Sequence, residues 1–142
     1  MFSESLIDLN TIHAFLETEY HVFGDSPFTL RIDEPNSALA AACNRNCAES
    51  SAYITACNPN SKTLDNSVNE ERHNSLRREL IERNLAFLEG EGKHPSSGRP
   101  GEASFIIFGI DLETARDLSR RMLQDAFVWA GPDWLPQLIL LK

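Results

Sequence analysis

The sequence predicts an α+β fold: a single mixed sheet of five or six strands with helices packed mainly on one face. Two observations predict it. Segments with apolar residues at helical spacing alternate with short runs rich in β-branched and aromatic residues. No internal repeat or linker divides the 142 residues, so residues 1–142 read as one domain, of the usual size for one.

The elements follow in order. Leu6, Leu9, Ile12, Leu16 and Tyr20 recur every three or four residues, which predicts an amphipathic helix over 4–20. The turn residues of 24–27 separate it from a short strand, Phe28 to Ile32. A helix of small residues runs from Ser37 to Cys47. The second strand is Ala52 to Cys57, and Pro59 ends it. Residues 58–66 are loop. Ser67 and Glu70 form an S-x-x-E capping box, so the next helix starts near Val68 and runs to Asn84. Leu85 to Glu89 is the third strand. Residues 90–103 hold four glycines and two prolines and read as a long loop, functional or mobile. Ser104 to Gly109 is apolar on both faces and is the central strand. Asp111 caps a helix reaching Leu123. Ala126–Ala130 and Gln137–Leu141 are the last strands.

Composition excludes several classes. The net charge of −8 argues against general nucleic-acid binding. No apolar run approaches the ~20 residues of a membrane span. The N-terminus lacks the basic region of a signal peptide. Three cysteines, Cys43, Cys47 and Cys57, read as reduced thiols of a cytoplasmic protein. No partner set makes a metal site of the Cys43/Cys47 pair, and no cofactor motif is present. Residues 1–71 carry three basic and eleven acidic residues, and residues 72–142 ten of each. The arginines of the second half are solvated helix faces or a basic patch for an anion.

The polar residues gather in one stretch, Tyr53 to Leu80. A strand ends in a polar loop, and the loop feeds a helix that opens with polar residues. At 100° per residue, Asn69, Leu76 and Leu80 lie within about 20° of one line, with Arg72 about 60° to one side. Asn69 and Arg72 therefore extend the inward stripe and need partners there. Thr55, Asn58 and Ser61 are the nearest in sequence. A strand end beside a helix N-terminus suits an anion, and Arg72 would clamp it. The same residues also serve as ties that hold an Asn-Pro loop. His73 and His94 read as exposed.

The segments T-A-x-N-P-x-S at 55–61, N-x-x-R at 69–72, E-x-S at 102–104 and Q-x-A at 124–126 resemble the DUF3293 family, small bacterial proteins of unassigned function. The resemblance spans most of the chain from Tyr20 to Leu141. It implies that Thr55, Asn58, Pro59, Ser61, Asn69, Arg72, Glu102, Ser104 and Gln124 are recurring positions. Cys57 departs from an expected aromatic residue, and Met122-Leu123 stands where Phe-Gly is usual. The resemblance brings no activity with it.

Three functional readings follow. In the first, a small anionic ligand binds at the 55–72 junction, with Thr55, Asn58, Ser61, Asn69, Arg72, Glu102, Ser104 and Gln124 around it and the 90–103 loop as cover. In the second, the cluster is architectural and the chain is a protein-interaction module. Its protein partner would meet the acidic first half or Trp129 and Trp134. In the third, a small enzyme uses Glu102 with Arg72. No H-E-x-x-H, P-loop, G-x-S-x-G or C-x-x-C pattern names a reaction.

Overall fold

The structure, a computed structural model, describes residues 5–142. One antiparallel sheet of seven strands curves into a half-barrel, with four helices. The elements are α1 (Leu9–Glu17), β1 (Glu19–Val22), β2 (Phe28–Leu30), α2 (Ser37–Arg45), β3 (Ser51–Thr55), α3 (Asn66–Glu82), β4 (Ala86–Lys93), β5 (Glu102–Phe108), α4 (Leu112–Arg121), β6 (Ala126–Ala130) and β7 (Gln137–Leu140). The strand order is β2-β1-β4-β5-β3-β6-β7. The expected mixed sheet of five or six strands is therefore corrected to seven, all antiparallel.

The extra strand is β1. Tyr20 had been placed on the first helix, but α1 stops at Glu17 and Thr18 is extended. Tyr20 and Val22 then alternate inward along β1, which pairs with β2 on one side and β4 on the other. Non-local pairing outweighs the local helical spacing. The earliest part of the expected helix, residue 4, lies outside the described residues. Asp8 caps α1 through the Asn10 amide at 3.1 Å.

The glycine-rich segment is also shorter as a loop than its composition indicates. Residues 90–93 continue β4, and Glu102 already belongs to β5. Of the two glycines in this strand, Gly90 has a packing reason. A Cβ at Gly90 would stand 2.1 Å from the His21 carbonyl oxygen and 2.8 Å from the Tyr53 hydroxyl. That hydroxyl donates to the same His21 carbonyl at 2.7 Å. Gly90 thus lets β1, β4 and β3 close up around Tyr53.

Helices cover both faces, against the expectation of one. Tyr53, Ile106, Phe108 and Val128 face the layer that holds α2, with Leu16 of α1 packed on it. Ala52, Ile54, Phe105, Ile107 and Phe127 face Leu76 and Leu80 of α3 and Leu118 of α4. The period-two alternation of β3, β5 and β6 makes both faces apolar, so each needs cover. Trp129 and Trp134 are half-buried against these layers. They do not form the exposed aromatic surface that was expected.

Helix boundaries shift for local reasons. α3 begins at Asn66, and its cap Asp65 makes no side-chain capping bond, so the Ser67–Glu70 box does not mark the start. Asn36 and Asp111 do cap α2 and α4, through the amides of Leu39 and Thr114 at 2.9 and 2.7 Å. α2, α3 and α4 each end in a Schellman turn, with Ala48, Leu85 and Gln124 amides donating back to Cys43, Leu80 and Ser119. The left-handed residue in these turns is Cys47, Asn84 or Leu123, with φ of 52°, 56° and 59°. None is glycine. Leu123 is the least suited, since an apolar side chain gains no local hydrogen bond there.

Two stability predictions follow from this backbone. Leu123 is 49 % exposed, so its side chain contributes little by burial. Leu123→Gly is expected to raise unfolding free energy by about 0.5–1 kcal/mol, as relief of the left-handed strain exceeds the added entropy. A lower urea midpoint would refute it. Gly90→Ala is expected to cost about 1–3 kcal/mol through forced strand separation, measured the same way; an unchanged midpoint would show that the contact does not hold the strands.

Candidate functional site

The site begins where β3 leaves the sheet. Thr55 is the last ladder residue. Its hydroxyl donates to the Ala103 carbonyl at 2.8 Å and accepts from the Cys57 amide at 3.0 Å. Asn58 then turns left-handed, with φ of 49°, and a single 3-10 turn spans Pro59–Ser61. An amide side chain suits such a turn because it bonds to backbone close by.

Asn58 and Asn69 hold the junction reciprocally. The Asn58 amide N–H donates to Asn69 Oδ1 at 2.9 Å, and Asn69 Nδ2 donates to Asn58 Oδ1 at 2.8 Å. Asn58 Oδ1 also accepts from the Leu64 amide at 3.0 Å. That leaves Asn58 Nδ2, which donates to Glu102 Oε2 at 2.7 Å. A carboxylate at the start of β5 is thereby tied to the first turn of α3. The chain Asn69–Asn58–Glu102 is the polar spine of the junction.

Arg72 faces elsewhere. Its Nε donates to the Ala56 carbonyl at 2.6 Å and its Nη2 to the Met122 carbonyl at 2.7 Å. Gln124 Nε2 donates to the Cys57 carbonyl at 3.1 Å and to Met122 at 3.2 Å. Ser61 donates to Asp125 Oδ2 at 2.6 Å, and Lys142 pairs with the other oxygen of that carboxylate at 2.6 Å. Ser104 donates to the Glu102 carbonyl at 3.0 Å. Thr55, Ser61, Arg72, Ser104 and Gln124 thus close the loop onto backbone and neighbouring side chains. The expected eight-residue group divides into these five ties and the Asn58–Asn69–Glu102 spine.

The spine opens on a cleft of about 300 Å³. Cys57, Asn58 and Asn69 form one wall and Gly101, Glu102 and Ala103 another. Asn66, Glu70, His73 and Asn74 of α3 complete it. Sequence reasoning missed His73, which is only 7 % exposed. Its ring stacks on Phe105 with centroids 4.2 Å apart, and its Nε2 meets Glu89 Oε1 at 3.2 Å. The signal was present: His73, Leu76 and Leu80 are spaced i, i+3, i+7 on one helix face. Arg77 also bonds Glu89 at 2.8 Å and lies 5.5 Å from the Phe105 ring centre.

Electrostatics set the cleft apart from its surroundings. Burial raises the Glu102 carboxyl above the ordinary range, against the opposing Asn58 hydrogen bond and the charge of Arg99. Burial also raises the Cys57 thiol, so it is a poor nucleophile. At Glu89 desolvation is outweighed by the bonds from His73 and Arg77, and its carboxyl lies below the ordinary range. The arginines of α3 and α4 are largely paired: Arg83 with Glu79 at 2.8 Å and Arg116 with Glu113 at 3.1 Å. Among the described residues, no three His, Cys, Asp or Glu side chains come close enough to hold a metal ion. None of the described helices is long and apolar enough to cross a membrane.

Two measurements test this geometry. Arg72→Ala strands the Ala56 carbonyl and leaves Met122 with the Gln124 bond alone, and it is expected to cost about 2–4 kcal/mol in urea unfolding, against ~0–1 for exposed Arg78→Ala. Equal midpoints would contradict it. For Glu102, a folded-state pKa above the unfolded one means that stability falls as pH rises through the unfolded value of 4.5 towards the folded one. Glu102→Gln keeps an acceptor for Asn58 but cannot ionise. It is expected to melt higher than wild type at pH 7 and to lose that advantage below the unfolded pKa. A wild type more stable than the variant at pH 7 would overturn the assignment.

No curated protein and no solved structure matches the chain. A family model described as a protein of unknown function, DUF3293, matches residues 54–127, from β3 through the cleft and α4 to β6. The matched segment contains the spine, the five ties and the lining of the cleft, and the chain belongs to the DUF3293 family.

Proposed function

We propose that this protein binds a small polar molecule in the cleft between the first turns of α3 and the start of β5. One observation carries the reading: the Asn69–Asn58–Glu102 spine ends at a half-buried carboxylate that makes no ion pair among the described residues and opens on the cleft. A buried carboxylate without a cation is costly. Preorganised amides beside it are the usual furniture of a ligand site. The anionic ligand expected at this junction depends on a guanidinium facing it. Arg72 spends its donors on Ala56 and Met122, so the support for binding moves from Arg72 to the cleft. The acid–base reading of Glu102 with Arg72 loses its second member for the same reason. The interaction reading loses Trp129 and Trp134, which pack inward.

Hydrogen exchange with a broad mixture of small polar metabolites tests the reading. Protection is expected to rise across 58–70 and 94–103 and to stay unchanged across 126–130. A mixture that leaves the first two segments unaltered would overturn it.

A further inference from the structure

The chemistry of the lining specifies the charge of the ligand, on the reading that the cleft is a binding site. Its ionisable side chains are Glu70, Glu102, His73 and Cys57, with no lysine or arginine among them. Arg99 acts on Glu102 through its charge but forms no ion pair with it and does not line the cleft. The cleft is therefore anionic within a chain of net charge −8.

His73 also lines the cleft, but its ring nitrogens are turned to the fold. Its Nε2 faces the acceptor-only carboxylate of Glu89 at 3.2 Å, which assigns the proton to Nε2. Nδ1 is then an acceptor. It is buried and has no hydrogen-bond partner, on a side chain 7 % exposed. The stack on Phe105 and the bond to Glu89 hold the ring in this orientation. With almost none of this nitrogen accessible, a ligand in the cleft does not reach it while the ring keeps this position. Asn58 Oδ1 already accepts from Leu64 and Asn69, so Glu102 is the charged acceptor left to a ligand beside the spine, with the exposed Glu70 also lining the cleft. No three carboxylates, thiols or imidazoles gather at metal-binding distance among the described residues.

We infer that the cleft selects a small organic cation, an alkylamine or alkylguanidine, with Glu102 as its counter-ion. Glu102 Oε2 already accepts from Asn58 while Oε1 has no donor among the described residues, and the ligand charge compensates the carboxylate that the fold has partly desolvated. Attraction between opposite charges at a partly exposed site weakens with salt.

Probes matched in shape separate this inference from the reading beneath it. Full-length protein is titrated with n-butylamine, n-butylguanidine, n-butanol and butanoate, and amide resonances are followed by heteronuclear NMR. The two cations are expected to shift signals of 57–58, 69–74 and 101–103, to bind more weakly in high salt, and to lose about tenfold or more in affinity in Glu102→Gln. That variant is isosteric and expected to fold, which its own amide spectrum checks. Butanoate or butanol shifting the same signals at lower concentration than the cations would overturn the inference and leave small-ligand binding at the cleft standing. Equal cation affinity in Glu102→Gln would overturn it as well. If no probe and no polar metabolite moves these signals, both the inference and the binding reading fail.

Discussion

The junction depends on two carbonyl groups that have left the sheet but not the core. β3 gives up its ladder at Thr55, yet Ala56 is fully buried and Cys57 nearly so. Their carbonyl oxygens cannot turn to water, and backbone acceptors in such places must be satisfied by something. Arg72 reaches Ala56 from α3, and Gln124 reaches Cys57 from the end of α4. Both also bond Met122. Three chain segments that are remote in sequence are thus joined by two long, donor-rich side chains. Guanidinium suits the task because its donors diverge in one rigid plane and stay charged.

From that constraint the rest of the site follows. With Arg72 pinned to the α4 side, the next inward positions of α3, Asn69 and His73, face the start of β5. Asn69 locks the left-handed turn at Asn58, and Asn58 passes its last donor to Glu102. His73 is drawn flat onto Phe105 and held by Glu89. A polar wall beside a stacked imidazole is therefore a by-product of how the β3 exit is closed. The bonds are divided by residue here: Arg72 and Gln124 donate to backbone carbonyls, and Asn58 and Asn69 bond to each other and to Glu102, which lines the cleft.

The half-barrel is held by comparable local compromises. Gly90 is bare so that β1 and Tyr53 can close on β4. The left-handed turns that end α2, α3 and α4 are made without glycine, and Leu123 in particular keeps φ of 59° because both sides of its turn are engaged. Its carbonyl accepts from Asn60 at 2.7 Å, and the next amide, that of Gln124, closes the Schellman turn. Backbone strain at 58–61 and at 123 is mutual, and each loop helps to hold the other.

The sequence by itself determined most elements, because their causes are local. The apolar runs of β3, β5 and β6, the cap at Asp111, and the stripe of Leu76 and Leu80 are legible from a few neighbouring residues. The 55–72 junction was legible too, since polar residues on an inward stripe demand partners, and the four motifs marked its family. Tertiary structure alone decided the rest. Tyr20 and Val22 became a strand because β2 and β4 flank them. Residues 90–93 entered the sheet because bare backbone was needed against His21 and Tyr53. Both sheet faces took helices because both were apolar. Above all, spacing brought Arg72 near the junction but could not tell a carboxylate or phosphate from a backbone carbonyl as its partner. That choice rests on Ala56 and Met122, whose approach is set by β3 and α4 packing together across the fold.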